Sequence, residues 1–101
     1  MFNIKKDIEY WLKVNGVKNY TINEDMSVDV DGNVSLSKLD IFEFPVKFRN
    51  VSGYFWCNDN KLTTLIGCPV SVGGDFKCIR NELTNLDVRG LVVILTVVRM
   101  Y

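Results

Sequence analysis

Between residues 51 and 86 the hydrophobic and polar positions recur at a fixed interval. Val51, Gly53, Phe55, Cys57, Asn60, Leu62, Thr63 and Leu65 are answered twenty-one positions later by Val72, Gly74, Phe76, Cys78, Asn81, Leu83, Thr84 and Leu86. A constant period of this size marks units that bury their apolar side chains only by stacking on a like unit. Phe55 and Cys57 alternate with Tyr54 and Trp56, which predicts a strand with the first pair inward and the second outward. Leu62 and Leu65 then bring the chain back across the core. Asn60 and Asn81 are expected to turn inward, where their amides satisfy backbone groups in the bend.

The flanks follow other patterns. Over residues 3–13, Ile4, Ile8, Trp11 and Leu12 form one helical stripe, Asn3 is the expected N-cap, and Asn15-Gly16 stops the helix. Residues 17–22 begin an extended stretch, with Tyr20 and Ile22 alternating with polar neighbours. This unit has no repeat spacing and suits a cap over the open end of a stack. Residues 28–44 keep the interval in weaker form: Gly32 falls under Gly53, Val34 under Phe55, Leu36 under Cys57, Ile41 under Leu62 and Phe44 under Leu65. Leu39 stands where the later copies have asparagine, and residues 45–50 are expected to form a different connection in place of the Gly67-Cys68-Pro69 turn.

Composition narrows the function. The 101 residues suit one domain, with twelve basic and twelve acidic side chains and no histidine. No basic run supplies a nucleic-acid footprint, and histidine-dependent triads and most zinc sites drop out. The Asp29, Asp31, Gly32 sequence opens like a calcium loop, but the third acidic ligand and the distal glutamate are absent, so no metal is expected. The three cysteines lack a histidine base and sit at repeat or turn positions, so they read as reduced core thiols. Gly73-Gly74 is followed by neither the lysine nor the helix start of a phosphate loop. No catalytic residues and no cofactor are therefore expected. The N-terminus lacks the apolar core of a signal peptide, and the apolar run over residues 91–98 is far short of the ~20 residues needed to span a bilayer. A cytoplasmic location without membrane contact is expected.

If like positions stack, the outward side chains form two columns: Asn33, Tyr54, Asp75 and Ser35, Trp56, Lys77. Exposed Trp and Tyr are residue types that carry interface energy, which makes these six the expected partner-binding residues. The plainer alternative is that Trp56 lies flat on Lys77 and Tyr54 and merely covers the sheet.

At Phe55-Trp56-Cys57-Asn58-Asp59-Asn60-Lys61-Leu62 and again at Phe76-Lys77-Cys78-Ile79-Arg80-Asn81-Glu82-Leu83 the chain resembles the second half of the leucine-rich repeat. More narrowly, VGGDFKC, N-x-LTxL and GCP look like the short repeats of bacteriophage and prophage proteins that follow a helical cap. The resemblance covers roughly residues 3–86. It implies an α+β fold: a short right-handed solenoid of about three rungs built on a parallel β ladder, with an N-terminal helical cap. It also implies a non-catalytic protein-binding module, an accessory protein acting on a bacterial host protein such as one used in defence.

After Asp87 the repeat stops. If residues 92–98 were encoded GTG-GTG-ATT-TTG-ACT-GTA-GTA, the frame one nucleotide earlier would read Gly-Gly-Asp-Phe-Asp-Cys-Ser, and Val88-Arg89, as GTC-CG, likewise hides Cys-Pro. The expectation is a longer array cut short by a frameshift; codons that exclude this reading would sink it. The β-branched tail is expected to form a C-terminal strand, either beside residues 74–78 or between two chains through Val92, Ile94 and Val97. The competing reading of function is accordingly a structural protein that self-associates into a homodimer, with no foreign ligand.

Overall fold

The N-terminal stripe forms helix α1, Lys5–Val14, in the computed structural model, which describes residues 1–83. Ile8 and Leu12 are buried and Trp11 packs against the core, as the stripe predicts. Ile4 departs from it. This residue is the N-cap, with extended backbone, so its side chain leaves the helical face and is 57% exposed. The expected cap at Asn3 is therefore displaced by one residue, and α1 has no side-chain cap. Asp7 in the first turn and Lys13 in the last complement the helix dipole. At the C-terminus Gly16 takes φ 75°, its N–H bonds Lys13 O at 3.1 Å, and Val17 N–H bonds Leu12 O at 2.9 Å. Together these form a Schellman closure, which explains why the helix stops at Asn15-Gly16.

Among the described residues seven strands follow, in two sheets. The first sheet has the order β1 (Tyr20–Ile22), β2 (Ser27–Val30), β4 (Lys47–Val51), β6 (Ser71–Val72); β1 is antiparallel to β2 and the other pairs are parallel. The second is a parallel ladder of β3 (Val34–Ser35), β5 (Phe55–Trp56) and β7 (Phe76–Lys77). Its register stacks Val34, Phe55 and Phe76, and beside them Ser35, Trp56 and Lys77, at the interval read from the sequence. The chain is thus α+β, with one helix and mixed and parallel sheets among the described residues.

The first sheet corrects one expectation. Residues 45–50 do not merely connect, because they carry most of β4. Ser27 and Val28 pair with Lys47 and Phe48, twenty positions on, whereas Val30 pairs with Val51, twenty-one on. An extra residue in β4 absorbs the difference as a bulge. The Asn50 N–H beside that bulge donates to Asp29 Oδ1 at 3.1 Å, and Arg49 grips the same carboxylate through Nε and Nη2.

Between the sheets lies a core of phenylalanines. Phe48 enters from the first sheet, Phe55 and Phe76 from the second and Phe44 from the connection, all at most 1% exposed. Phe55 and Phe76 stack with centroids 5.9 Å apart, and Phe48 meets Phe55 edge-on at 5.1 Å. Leu36, Leu62 and Leu65 close the far side, and Val28 and Val34 the strand side. Each such side chain contributes about 1.5–3 kcal/mol when fully buried.

The inward asparagines explain both the repeat and its exception. Asn60 Nδ2 donates to Leu36 O and Cys57 O at 2.8 and 3.1 Å, while its Oδ1 accepts Leu39 N–H at 2.8 Å. Asn81 acts likewise twenty-one positions on, donating to Cys57 O and accepting Leu62 N–H at 2.9 and 3.0 Å. Each amide therefore closes the bend of the repeat before it. Leu39 has no earlier copy of that bend to close, so an apolar side chain stands there. Lys38, Asp59 and Arg80 share a left-handed conformation at this bend, with φ of 60°, 59° and 55°.

A glycine is required at position 53, where the chain passes close to residues 32 and 33. A Cβ on Gly53 would fall 2.7 Å from Gly32 O and inside contact distance of Asn33 Oδ1. The C-terminal strand, its pairing beside residues 74–78 and its self-association through Val92, Ile94 and Val97 lie outside the described residues.

Candidate functional site

Two surfaces carry chemistry, one on each sheet. On the β3-β5-β7 ladder, Ser35, Trp56 and Lys77 stand in register across three strands. Tyr54 stacks on Trp56 with ring centroids 3.9 Å apart and planes 18° from parallel. Lys77 Nζ sits 4.9 Å from the Trp56 ring centroid, within cation–π range. This is the arrangement in which Trp56 covers the sheet, and it leaves both rings only partly exposed. The Trp56 indole N–H is buried and meets no acceptor among the described residues.

The other column is less uniform than the sequence suggested. Asn33 Oδ1 accepts the Tyr54 N–H at 2.9 Å, so its amide oxygen links two successive repeats. Asp75 presents its carbonyl to Phe55 N–H at 2.9 Å and stays half-buried beside Tyr54. Of the six predicted residues, Ser35, Tyr54, Trp56 and Lys77 thus form the outward strip, Asn33 has a structural task and Asp75 borders the strip.

On the other sheet an open groove of about 560 Å³ is lined by Asn19, Thr21, Asp29, Asp31, Asn50, Ser52 and Ser71, with Val30, Val51 and Gly73 completing it. Sequence reasoning missed this surface, because its residues come from four strands and the turns beside them. The available signals were Thr21, polar between Tyr20 and Ile22, and the Asp29 and Asp31 pair weighed above as a calcium loop. Asp29 is held below the usual carboxylate range by the Arg49 side chain, with further bonds from Asn23 and Asn50 N–H. Asp31 accepts the Ser52 hydroxyl at 3.0 Å, and the same Ser52 oxygen accepts Gly32 N–H at 2.7 Å.

The cysteines are buried free thiols. A hydrogen bond with Cys78, followed by burial, pushes the Cys57 thiol well above its ordinary range, and its Sγ lies 3.4 Å from Lys77 O. Such a thiol stays protonated and is a poor nucleophile. Among the described residues no group of three or more Cys, Asp or Glu side chains could hold a metal ion, and no helix is long and apolar enough to cross a membrane. Compared with protein-family models, curated proteins and solved structures, the chain matches none.

Proposed function

We propose that the chain is a short leucine-rich-repeat-like solenoid that binds a protein partner through the strip of Tyr54, Trp56 and Lys77. The observation carrying this reading is the continuous aromatic stack topped by a cation, Tyr54 to Trp56 at 3.9 Å and Trp56 to Lys77 at 4.9 Å. Rings already stacked lose little side-chain freedom on binding, and a flat aromatic surface rimmed by polar groups suits the centre of a protein interface. The resemblance to bacteriophage and prophage repeats suggests a host protein in the bacterial cytoplasm, recognised without catalysis. A pull-down from bacterial lysate followed by titration of the purified partner tests this. Trp56→Ala and Lys77→Glu proteins with unchanged circular dichroism should lose affinity at least tenfold, the effect of a single hot-spot residue. Full affinity in both variants would overturn the reading.

A second reading, self-association, is favoured by the end position of β7, which has no outer partner strand among the described residues. Sizing the chain with and without its last fourteen residues decides it. A monomer in both cases removes this reading and leaves the first untouched.

A further inference from the structure

The groove on the first sheet calls for a ligand different from that of the aromatic strip. Thr21 stands opposite Asp29, Asp29 accepts the Asn50 N–H, and Asn50 is in register with Ser71. These four side chains form one row across β1, β2, β4 and β6, at a strand spacing of ~4.8 Å. Asn19, Asp31 and Ser52 run alongside. The side-chain amides of Asn19 and Asn50 and the hydroxyls of Thr21 and Ser71 make no hydrogen bond among the described residues. The second oxygen of Asp31 accepts none either.

From this arrangement we infer that the groove binds a neutral, polyhydroxylated ligand, a short oligosaccharide. A sugar hydroxyl both donates and accepts, and so do the amides of Asn19 and Asn50 and the hydroxyls of Thr21 and Ser71, while Asp31 supplies a charged acceptor. Other ligand classes fit less well. Anions meet Asp29 and Asp31, and the nearest cation, Arg49, is already held by Asp29. Apolar ligands find only Val30 and Val51, whose side chains are 3% and 2% exposed. A hard metal ion needs six to eight oxygen ligands, and with both Asp29 oxygens held by Arg49 the lining leaves it only the carboxylate of Asp31 and neutral groups. A basic peptide would satisfy Asp31 and leave the four neutral groups unused.

The test is a titration of the isotopically labelled full chain, followed by amide chemical shifts, with short oligosaccharides of glucose, galactose and N-acetylglucosamine. Lysine oligopeptides and spermidine serve as cationic probes. Saturable shifts at Thr21, Asn50 and Ser71 with a sugar are expected. Asn50→Ala and Ser71→Ala, both at exposed positions, should each weaken that binding roughly threefold to tenfold, the worth of one hydrogen bond. Trp56→Ala should leave it unchanged, which separates this site from the protein-binding strip. Silence across all the sugars, shifts confined to other residues, equal affinity in both groove variants, or saturation by the cationic probes alone would overturn the inference.

Discussion

The two sheets share one core but treat their outer faces differently. The β3-β5-β7 ladder keeps one register throughout and carries large side chains outward, Trp56 and Lys77, packed on each other. The β1-β2-β4-β6 sheet changes register at the bulge beside Asp29 and carries small polar groups outward, Thr21, Asp29, Asn50 and Ser71. Regular stacking produces a strip, whereas the irregularity opens a groove. One fold thus offers two surfaces of opposite chemistry.

The sharpest way to break the comparison is through the shared core. Phe55→Ala removes the ring that touches Phe44, Phe48 and Phe76 and should cost about 3–5 kcal/mol in urea-induced unfolding, enough to lose both surfaces together. Next in size is Asn60→Ala. It leaves the buried Leu36 O and the more accessible Leu39 N–H without their amide partner, at about 1–3 kcal/mol for the buried group left unsatisfied. A loss of less than half a kcal/mol would mean that water replaces the amide.

Gly53→Ala acts where the two sheets join. Its methyl would press on Gly32 O and Asn33 Oδ1, with an expected cost of about 1–3 kcal/mol. The Tyr54 amide should show the largest chemical-shift change, since Asn33 would lose its bond there. The smallest effect falls on the groove side alone. Because the Asp29 carboxyl is held below its ordinary range in the folded chain, its contribution is complete above the unfolded value near 3.9 and disappears as pH falls through the lower folded value. Asp29→Asn should therefore flatten the acid side of the stability profile by a few tenths of a kcal/mol, since the ion pair is solvent-exposed. Unchanged acid sensitivity would assign that slope to other carboxylates, such as Asp59 beside Arg80.

Much of the second ladder was legible in the sequence, and little of the first sheet was. Phe55, Phe76, Cys57 and Cys78 recur at one interval because their strands stack without slippage, and the inward role of Asn60 and Asn81 follows from that. Strand β4 escaped because its alternation, Val46 and Phe48 buried against Lys47 and Arg49 exposed, is offset by twenty positions from Ser27 and Val28. A search at one fixed interval is blind to a bulge. The helix was visible, but its start was misplaced at Asn3 because cap preference weighs little against the path of the chain, here set by Phe2 N–H bonding Pro45 O at 2.8 Å. The outward strip was visible as residue types in register, and the packing of Trp56 on Tyr54 and Lys77 was one of its two readings; the choice between them was not legible, because side-chain direction depends on three-dimensional neighbours.

The asparagine bridges give the molecule a direction. Asn60 closes a bend made of Leu36 and Leu39, and Asn81 closes one made of Cys57 and Leu62, so each of these two bends is finished by a later part of the chain. The polar groups of such a bend find their amide partner only in the packed form of the repeat that follows. Order in this protein is written forwards but locked backwards.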